Sequence, residues 1–315
     1  SEQLFGLESW IKKNNISIAH TAELYHAYTL QAVRAKAVQK NLRVIATVWD
    51  NSFGRFDWTF AGEQRVPPVF WRSAMHRRVK EAVRGVDMFL PVSEQSRELL
   101  SFYGVPDARM RVVSPAVKGF APNESLQSRV IGRLGISGKR YTLSVSRLVW
   151  EKGVFDTLAA WRMYLQRGGS IHTDRLVFVG SGPARATLLS LAKEWGILDT
   201  VIFTTLENTE VRQLYAGAHA LVLGSVPTAV WQEQFGFVLV EAMQAGCPVI
   251  AAHTGAIPLV VQNAGILVSP LRPEECAEAL LGLQNVSTRE RLLPLMKERV
   301  GAFSAARFAE ELRGV

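Results

Sequence analysis

Cysteine is almost missing from this chain: Cys247 and Cys276 are the only two in 315 residues. Two thiols cannot form a disulfide framework, and both sit in segments that read as a buried strand and a helix, which fits a reducing cytosol. Also missing is any run of about eighteen uncharged apolar residues, so no membrane-spanning helix is expected. No Asp-x-Asp, His-Glu-x-x-His or cysteine cluster offers a metal site. No zinc spacing, RNA-binding sheet motif or basic region followed by heptads points to nucleic acid. Internal repeats and low-complexity segments are absent as well. The N-terminus has neither a methionine nor a basic-then-apolar signal and opens directly on a helix-like stretch, Leu4 to Lys13, so the chain reads as truncated at its start.

What is there is 48% hydrophobic and 20% charged, the make-up of a soluble globular α/β protein, and 315 residues allow two domains with a core each. The formal net charge is +8, with about +6 of it in residues 1–120, where Arg72, Arg77, Arg78, Lys80 and Arg84 crowd together. An excess of this size suits acidic small molecules or an anionic surface. Between Phe70 and Val86 the basic residues recur at helical spacing, compatible with peripheral contact with an anionic membrane and equally with a solvated helix face. The expected location is cytoplasmic, including the inner face of the membrane.

Short apolar runs rich in β-branched residues, at 16–20, 44–48, 88–92 and 111–113, alternate with amphipathic stretches at 24–39, 68–84 and 94–103. This βα alternation predicts a parallel sheet. Pro115, Gly119, Pro122, Asn123 and Ser125 then break the pattern, followed by a short amphipathic piece ending at Gly135 and Gly138. The expected limits are 1–114 for an N-terminal lobe, 115–139 for a linker and 140–300 for a second lobe, with 301–315 a terminal helix that caps that lobe or crosses back to the first. In the second lobe, strands near 141–146, 175–179, 200–204, 219–223, 247–252 and 265–268 alternate with helices at 154–167, 183–195, 209–217, 235–245, 273–284 and 288–299. Such a pattern predicts a doubly wound sheet, which binds ligands at the carboxyl ends of its strands.

The first of these strands runs into Ser146-Arg147-Leu148, and Glu151-Lys152-Gly153 precedes the next helix. Arg147 and Lys152, beside a helix N-terminus, make an anion site for which phosphate is the natural ligand, although two solvated cations would look the same in sequence. The following strand ends in Val179-Gly180-Ser181-Gly182-Pro183. There Gly180 and Gly182 would let a ligand approach the backbone, and Pro183 would open the helix. Arg185 occupies the place of the third glycine of a dinucleotide fingerprint, so a dehydrogenase is not expected. Further on, Trp231 to Met243 leads into a helix that is apolar on nearly every side, with Glu241 its only charge. A buried carboxylate needs donors: ribose hydroxyls would serve, and so would an arginine or a backbone amide. With helix geometry throughout, Glu233 and Glu241 would stand about 12 Å apart, the span from a sugar ring across a diphosphate to a ribose. The amides near Phe235, Gly236 and Phe237 would then lie between them at a helix N-terminus, where phosphates bind.

Glu233 and Glu241, enclosing seven residues, resemble the paired-glutamate motif of family 4 retaining glycosyltransferases of GT-B fold. The resemblance extends through the second lobe, over the strand-end segments quoted above, Thr254-Gly255-Ala256-Ile257-Pro258 and Gly265-Ile266-Leu267-Val268. It implies two Rossmann-like doubly wound lobes and a nucleoside-diphosphate sugar as donor. Arg147 and Lys152 would hold the diphosphate, Glu233 the transferred sugar and Glu241 the ribose. No metal or other cofactor is implied, the leaving-group charge falling to Arg147, Lys152 and the helix N-terminus. The acceptor hydroxyl would attack from the face the nucleotide leaves, with a donor phosphate oxygen taking the proton, so that the anomeric configuration is retained.

The segment from Ile18 to Glu23 resembles the family's strand end near the anomeric carbon, which makes His20 and Glu23 candidates. Nothing corresponds to the family's first strand and glycine-rich loop, so the N-terminal lobe is expected to be incomplete, and the chain to bind donor but transfer sugar poorly. Leu259 stands where the family carries an acidic residue. The expected activity is hexosyl transfer to an unidentified acceptor hydroxyl, lipid-linked or on a polysaccharide precursor. The alternatives are a non-catalytic nucleotide-sugar-binding or regulatory subunit and a sugar-nucleotide epimerase of the same fold, which would not share this glutamate spacing.

Overall fold

The computed structural model describes residues 3–50, 69–228 and 231–313. The chain divides into two compact units: Ser1–Pro115 with Ala229–Phe235 and Phe308–Val315, and Ala116–Thr228 with Gly236–Arg307. In the first unit α1 (Leu7–Lys13), β1 (Ile18–Ala22), α2 (Ala27–Ala35), β2 (Arg43–Val48), α3 (Val69–Gly85), β3 (Met88–Pro91) and α4 (Glu94–Phe102) follow one another. The strands pair in parallel in the order β1-β2-β3. Val44, Ala46 and Val48 of β2 are fully buried and share a core with Leu30 and Ala35 of α2, Val79 and Ala82 of α3, and Phe89. The apolar stripes on these helices recur at three and four residues, as burial of one helix face on a sheet requires.

The strand expected at 111–113 does not form. Arg111 N donates to Phe89 O and Val113 N to Pro91 O, both at 3.0 Å, but the only bridge is an isolated one between Phe89 and Met110. The return bond of this ladder needs the amide of residue 91, and Pro91 has none to give to Arg111 O, so the ladder stops; the Ser114 amide, facing the other way, goes to the Glu311 carboxylate at 2.9 Å. Arg111 in turn donates to the carbonyl of Arg313, which ties the last residues of the chain to the first unit.

The second unit opens with α5 (Glu124–Arg133), which starts where the Asn123 side chain caps Leu126 N. It continues with β4 (Arg140–Val145), α6 (Val154–Gln166), β5 (Asp174–Val179), α7 (Arg185–Glu194), β6 (Val201–Thr204), α8 (Asn208–Tyr215) and β7 (Ala220–Leu223). Then come α9 (Phe237–Gln244), β8 (Val249–Ala252), α10 (Ile257–Val261), β9 (Ile266–Val268), α11 (Pro273–Gly282), α12 (Val286–Val300) and α13 (Ala305–Leu312), whose end belongs to the first unit. All six strands are parallel, in the order β6-β5-β4-β7-β8-β9. The order reverses between β4 and β7, so a crevice opens at their carboxyl ends.

Three sequence expectations change here. Helix α10 replaces part of a run read as loop, because its apolar residues show no period. Helix α7 starts at Arg185 rather than at Pro183: Gly182 O is taken by Arg185 N in a tight turn, and the first helical bond runs from Leu188 N to Ala184 O. Helix α9 starts at Phe237 rather than Phe235, because Gly236 sits in the left-handed region with φ of 85°.

The amino ends of β4 and β5 are locked by one buried carboxylate. Asp174 is fully buried. It accepts from Arg140 Nε at 2.9 Å, Tyr164 Oη at 2.7 Å, Ser170 N at 2.9 Å and Thr173 Oγ1 at 3.0 Å. These donors hold its carboxyl below the ordinary aspartate range against the opposing effect of burial. Cys247 and Cys276 are both free and buried.

A second buried carboxyl shapes the first unit. Glu23, just past β1, has φ of 61°, a conformation that costs a residue with a side chain about 1–2 kcal/mol. The turn is held by Glu23 N to Thr47 O at 2.8 Å and by Thr29 Oγ1 to Glu23 O at 2.7 Å. Its Oε1 accepts from Trp49 N at 2.9 Å and Asp50 N at 3.1 Å, while Oε2 is buried without a hydrogen-bond partner. Burial first, and then the nearby Asp50 charge, push this carboxyl from 4.5 up to about 8 against the two amides. Folded Glu23 therefore keeps its proton where the unfolded chain has lost it. The stability it contributes is highest below the unfolded value and is lost as pH rises through the folded one. The stability of the wild type relative to Glu23→Gln is expected to fall steadily between pH 4.5 and about 8; thermal melts of both proteins across that range check this, and a constant difference would contradict it.

Candidate functional site

The carboxyl ends of β4, β5 and β7 are joined by contacts that only glycine permits. A Cβ on Gly180 would lie 1.9 Å from Ser146 O, one on Gly182 2.3 Å from Leu148 O, and one on Gly153 1.7 Å from Gly224 O. Backbone hydrogen bonds run through the same contacts: Leu148 N to Ser181 O at 2.8 Å, Ala184 N to Leu148 O at 3.0 Å, and Val226 N to Glu151 O at 2.9 Å. Gly180 and Gly182 thus serve the approach of one loop to another, a role their spacing did not reveal. Their effect is to fix the loop that carries Arg147 and Lys152.

That loop leaves β4 at Val145, makes a short turn over Trp150–Lys152 and enters α6 through Gly153, whose φ is 64°. The N-cap Gly153 has no side chain with which to cap α6, and in the first turn the Asp156 carboxylate accepts from its own amide, which leaves the amides of Val154 and Phe155 next to Lys152 in the chain. The Arg147 side chain is 67% exposed, and its Nη2 lies 3.6 Å from Glu151 Oε1. An exposed pair at that distance contributes at most about 1 kcal/mol, so an anion carrying two charges can displace it. Lys152 is partly buried. Gly236, at the start of α9, lies against the end of β7, where its Cβ would be 3.5 Å from Leu223 Cδ2. Phe237, the first residue of α9, is 41% exposed.

Glu241 lies on α9 with its side chain 14% exposed. Arg212 of α8, 11% exposed, donates through Nη1 to Glu241 Oε1 at 3.2 Å, and Tyr215 Oη donates to Oε2 at 3.4 Å. Burial raises the Glu241 carboxyl, and Arg212 and Tyr215 oppose that rise. Neither partner was identified from sequence: Arg212 lies 29 residues away, on a helix that also carries Glu210.

The paired glutamates are not spanned by one helix. Residues 233–236 precede α9, so the helical spacing of about 12 Å that the sequence suggested does not apply. Glu233, 7% exposed, and Phe235, 4% exposed, group with the first unit, whereas Gly236, Phe237 and Glu241 group with the second. His20, on β1 of the first unit, is exposed with its Nε2 2.7 Å from Thr47 Oγ1. Glu23 is turned inward onto the amides of Trp49 and Asp50, because the left-handed turn that carries it points the carboxyl at the end of β2. That geometry makes it a clamp on the strand end rather than a group facing substrate. Of the basic run, Arg77, Arg78, Lys80 and Arg84 are exposed along α3, and the Arg72 side chain lies outside the described residues. Among the described residues no group of three His, Cys, Asp or Glu side chains could hold a metal ion, and no helix is long and apolar enough to cross a membrane.

Comparison with known proteins agrees with this architecture. Residues 129–292, just over half the chain, match the family model of glycosyl transferases group 1, and residues 2–118 match that of Glycosyltransferase Family 4. A D-inositol 3-phosphate glycosyltransferase of Acidothermus cellulolyticus is 32% identical over 211 residues, 63% of this chain and 46% of the relative. A GDP-mannose-dependent alpha-(1-6)-phosphatidylinositol monomannoside mannosyltransferase of Mycobacterium tuberculosis is 29% identical over 206 residues, 63% of this chain and 53% of the relative. The chain thus spans about half the length of the curated relatives it matches. Among solved structures, Anabaena HepE in complex with UDP-glucose superposes with a TM-score of 0.75 at 18% identity, covering 100% of this chain and 85% of the other. That likeness is one of fold, and with the family matches over both units it shows that the chain belongs to the group 1 glycosyl transferases and has the GT-B fold.

Proposed function

We propose that the protein transfers a hexosyl residue from a nucleoside-diphosphate sugar to an acceptor hydroxyl, with retention of anomeric configuration and without a metal ion. The observation that carries this reading is the strand-end anion site. Arg147 and Lys152 stand on a loop held by three glycine contacts, next to the N-terminus of α6, at the switch point of a doubly wound sheet. Fixed positive charge there can bind a diphosphate and stabilise it as it leaves with the bond's electron pair. The names of the relatives support the donor class: one is GDP-mannose-dependent, and HepE was solved with UDP-glucose.

On this reading Glu233 contacts the transferred sugar, Glu241 holds the ribose and His20 lies near the anomeric carbon. The acceptor hydroxyl forms its bond on the face that the nucleotide vacates, and its proton passes to a phosphate oxygen of the leaving group. The acceptor is a lipid-linked hydroxyl or a polysaccharide precursor, and the exposed cations of α3 suit peripheral contact with an anionic membrane.

UDP, GDP and ADP titrated into the protein are expected to reveal one that binds alone, and Arg147→Ala or Lys152→Ala should weaken it by about 1.5–3 kcal/mol, the worth of a charge-assisted phosphate contact. Unchanged affinity in both variants, measured by calorimetry, removes the anion site from consideration. Glu241→Gln should lower nucleotide affinity while Glu233→Gln lowers mainly the transfer rate; equal loss of affinity in the two contradicts the assignment. Transfer should persist in excess EDTA and give a product with the donor's anomeric configuration by NMR. Loss of activity that added metal restores, or an inverted product, would sink that part of the reading.

A further inference from the structure

The ion pair beneath Glu241 has more to it than neutralising a buried charge. Arg212 is 11% exposed, and its guanidinium serves several acceptors at once. Besides Glu241, its Nη2 donates to Lys118 O at 2.6 Å, Gly119 O at 2.9 Å and Gln244 Oε1 at 3.4 Å. One residue on, Gln213 accepts from Asn123 N at 2.7 Å and donates to Ala121 O at 3.0 Å. Helix α8 therefore fastens the opening segment of the second unit, and the same arginine is aimed at α9.

We propose that Arg212 is a positioning residue for the nucleotide, holding the Glu241 carboxylate aimed at a ribose diol while anchoring the Lys118–Gly119 backbone with the other arm of its guanidinium. This rests on the reading of Glu241 as the ribose residue. A carboxylate has about four acceptor positions. Arg212 and Tyr215 take one on each oxygen, which leaves one on each for two neighbouring hydroxyls. Tyr215 is buried and its phenol is held well above the ordinary range, so it remains a donor and adds no charge.

The arginine also keeps the carboxylate in its accepting form. Burial pushes Glu241 toward the neutral acid, and Arg212 is the charge that opposes it. The other elements packed on α9, which are β7, β8, α10 and α12, bring no further charged or titratable group to bear on Glu241 among the described residues. The nearest cation on α12, Arg289, is turned to His219, donating to its carbonyl at 2.7 Å. With Arg212 uncharged, Glu241 takes up a proton at a higher pH, and an acid that must donate cannot accept from both hydroxyls.

The test is the pH profile of nucleotide affinity, because a merely structural arginine would not change its shape. The tightest of UDP, GDP and ADP is titrated by calorimetry from pH 5.5 to 8.5 into the wild type, Arg212→Gln, Arg212→Lys, Glu241→Gln and the double variant Arg212→Gln/Glu241→Gln. Arg212→Gln keeps donors for the two carbonyls but not the charge. Relative to the wild type, it should bind about tenfold more weakly at low pH and recover as pH rises, about the worth of one hydrogen bond to a charged group. Arg212→Lys keeps the charge and should follow the shape of the wild-type profile. Glu241→Gln should be weakened by one factor at every pH, and adding Arg212→Gln to it should introduce no new pH dependence.

A pH-independent loss in Arg212→Gln, or a Lys variant as weak as Glu241→Gln throughout, overturns the proposal. The Lys variant decides the question if the Gln variant does not fold. Full affinity in Glu241→Gln overturns the ribose reading itself, and the proposal with it. Weakened binding in Glu241→Gln with an unaltered Arg212→Gln profile overturns the proposal alone.

Discussion

The approach of backbone to backbone at the carboxyl ends of β4, β5 and β7 is the constraint on which the candidate site depends. Gly153, Gly180 and Gly182 meet carbonyl oxygens at distances that exclude any Cβ. The amides and carbonyls around them are bonded across the same contacts. A loop carrying two cations would otherwise be free to sample many conformations and would lose entropy on binding an anion. Here the backbone part of that cost is met on folding, so the main chain that carries Arg147 and Lys152 is already fixed.

The opposite end of the same sheet shows how differently charge is used where no ligand is expected. Asp174 is sealed among five donors from β4, α6 and the turn before β5, and it staples the amino ends of two central strands. His219 is likewise buried and kept neutral: burial first, and then Arg289, lower it to about 4. These groups are saturated by the protein itself. Glu241 is intermediate, with two partners and two acceptor positions left over. Glu23, with one oxygen occupied and the other bare, achieves its clamp by remaining a neutral acid at pH 7.

Much of this was legible in the chain. The period of the apolar residues placed the strands of the second unit within one or two residues, because β-branched runs between amphipathic stretches have few other ways to bury themselves. The paired glutamates and the strand-end cations were visible as charges in places where charge is costly. The run at 111–113 was misjudged because its pairing needs an amide from residue 91 of the neighbouring strand, and Pro91 has none; which strand it would lie beside is set only by the fold. The start of α9 was misplaced because the sequence alone does not say that Gly236 takes a left-handed conformation.

Local pattern and residue chemistry, then, determined the α/β class and the identity of the charged groups, since periodicity and side-chain charge are properties of the chain itself, while the family entered through the resemblance of its motifs. Which partner each group meets was decided only by tertiary structure. The two glycines after β5 proved to serve loop packing, the lone helix carboxylate was paired with Arg212 and Tyr215, and Glu23 was turned inward onto two amides. Each of those outcomes depends on atoms of a distant segment arriving within the reach of a hydrogen bond or a close backbone contact, and no local spacing encodes that arrival.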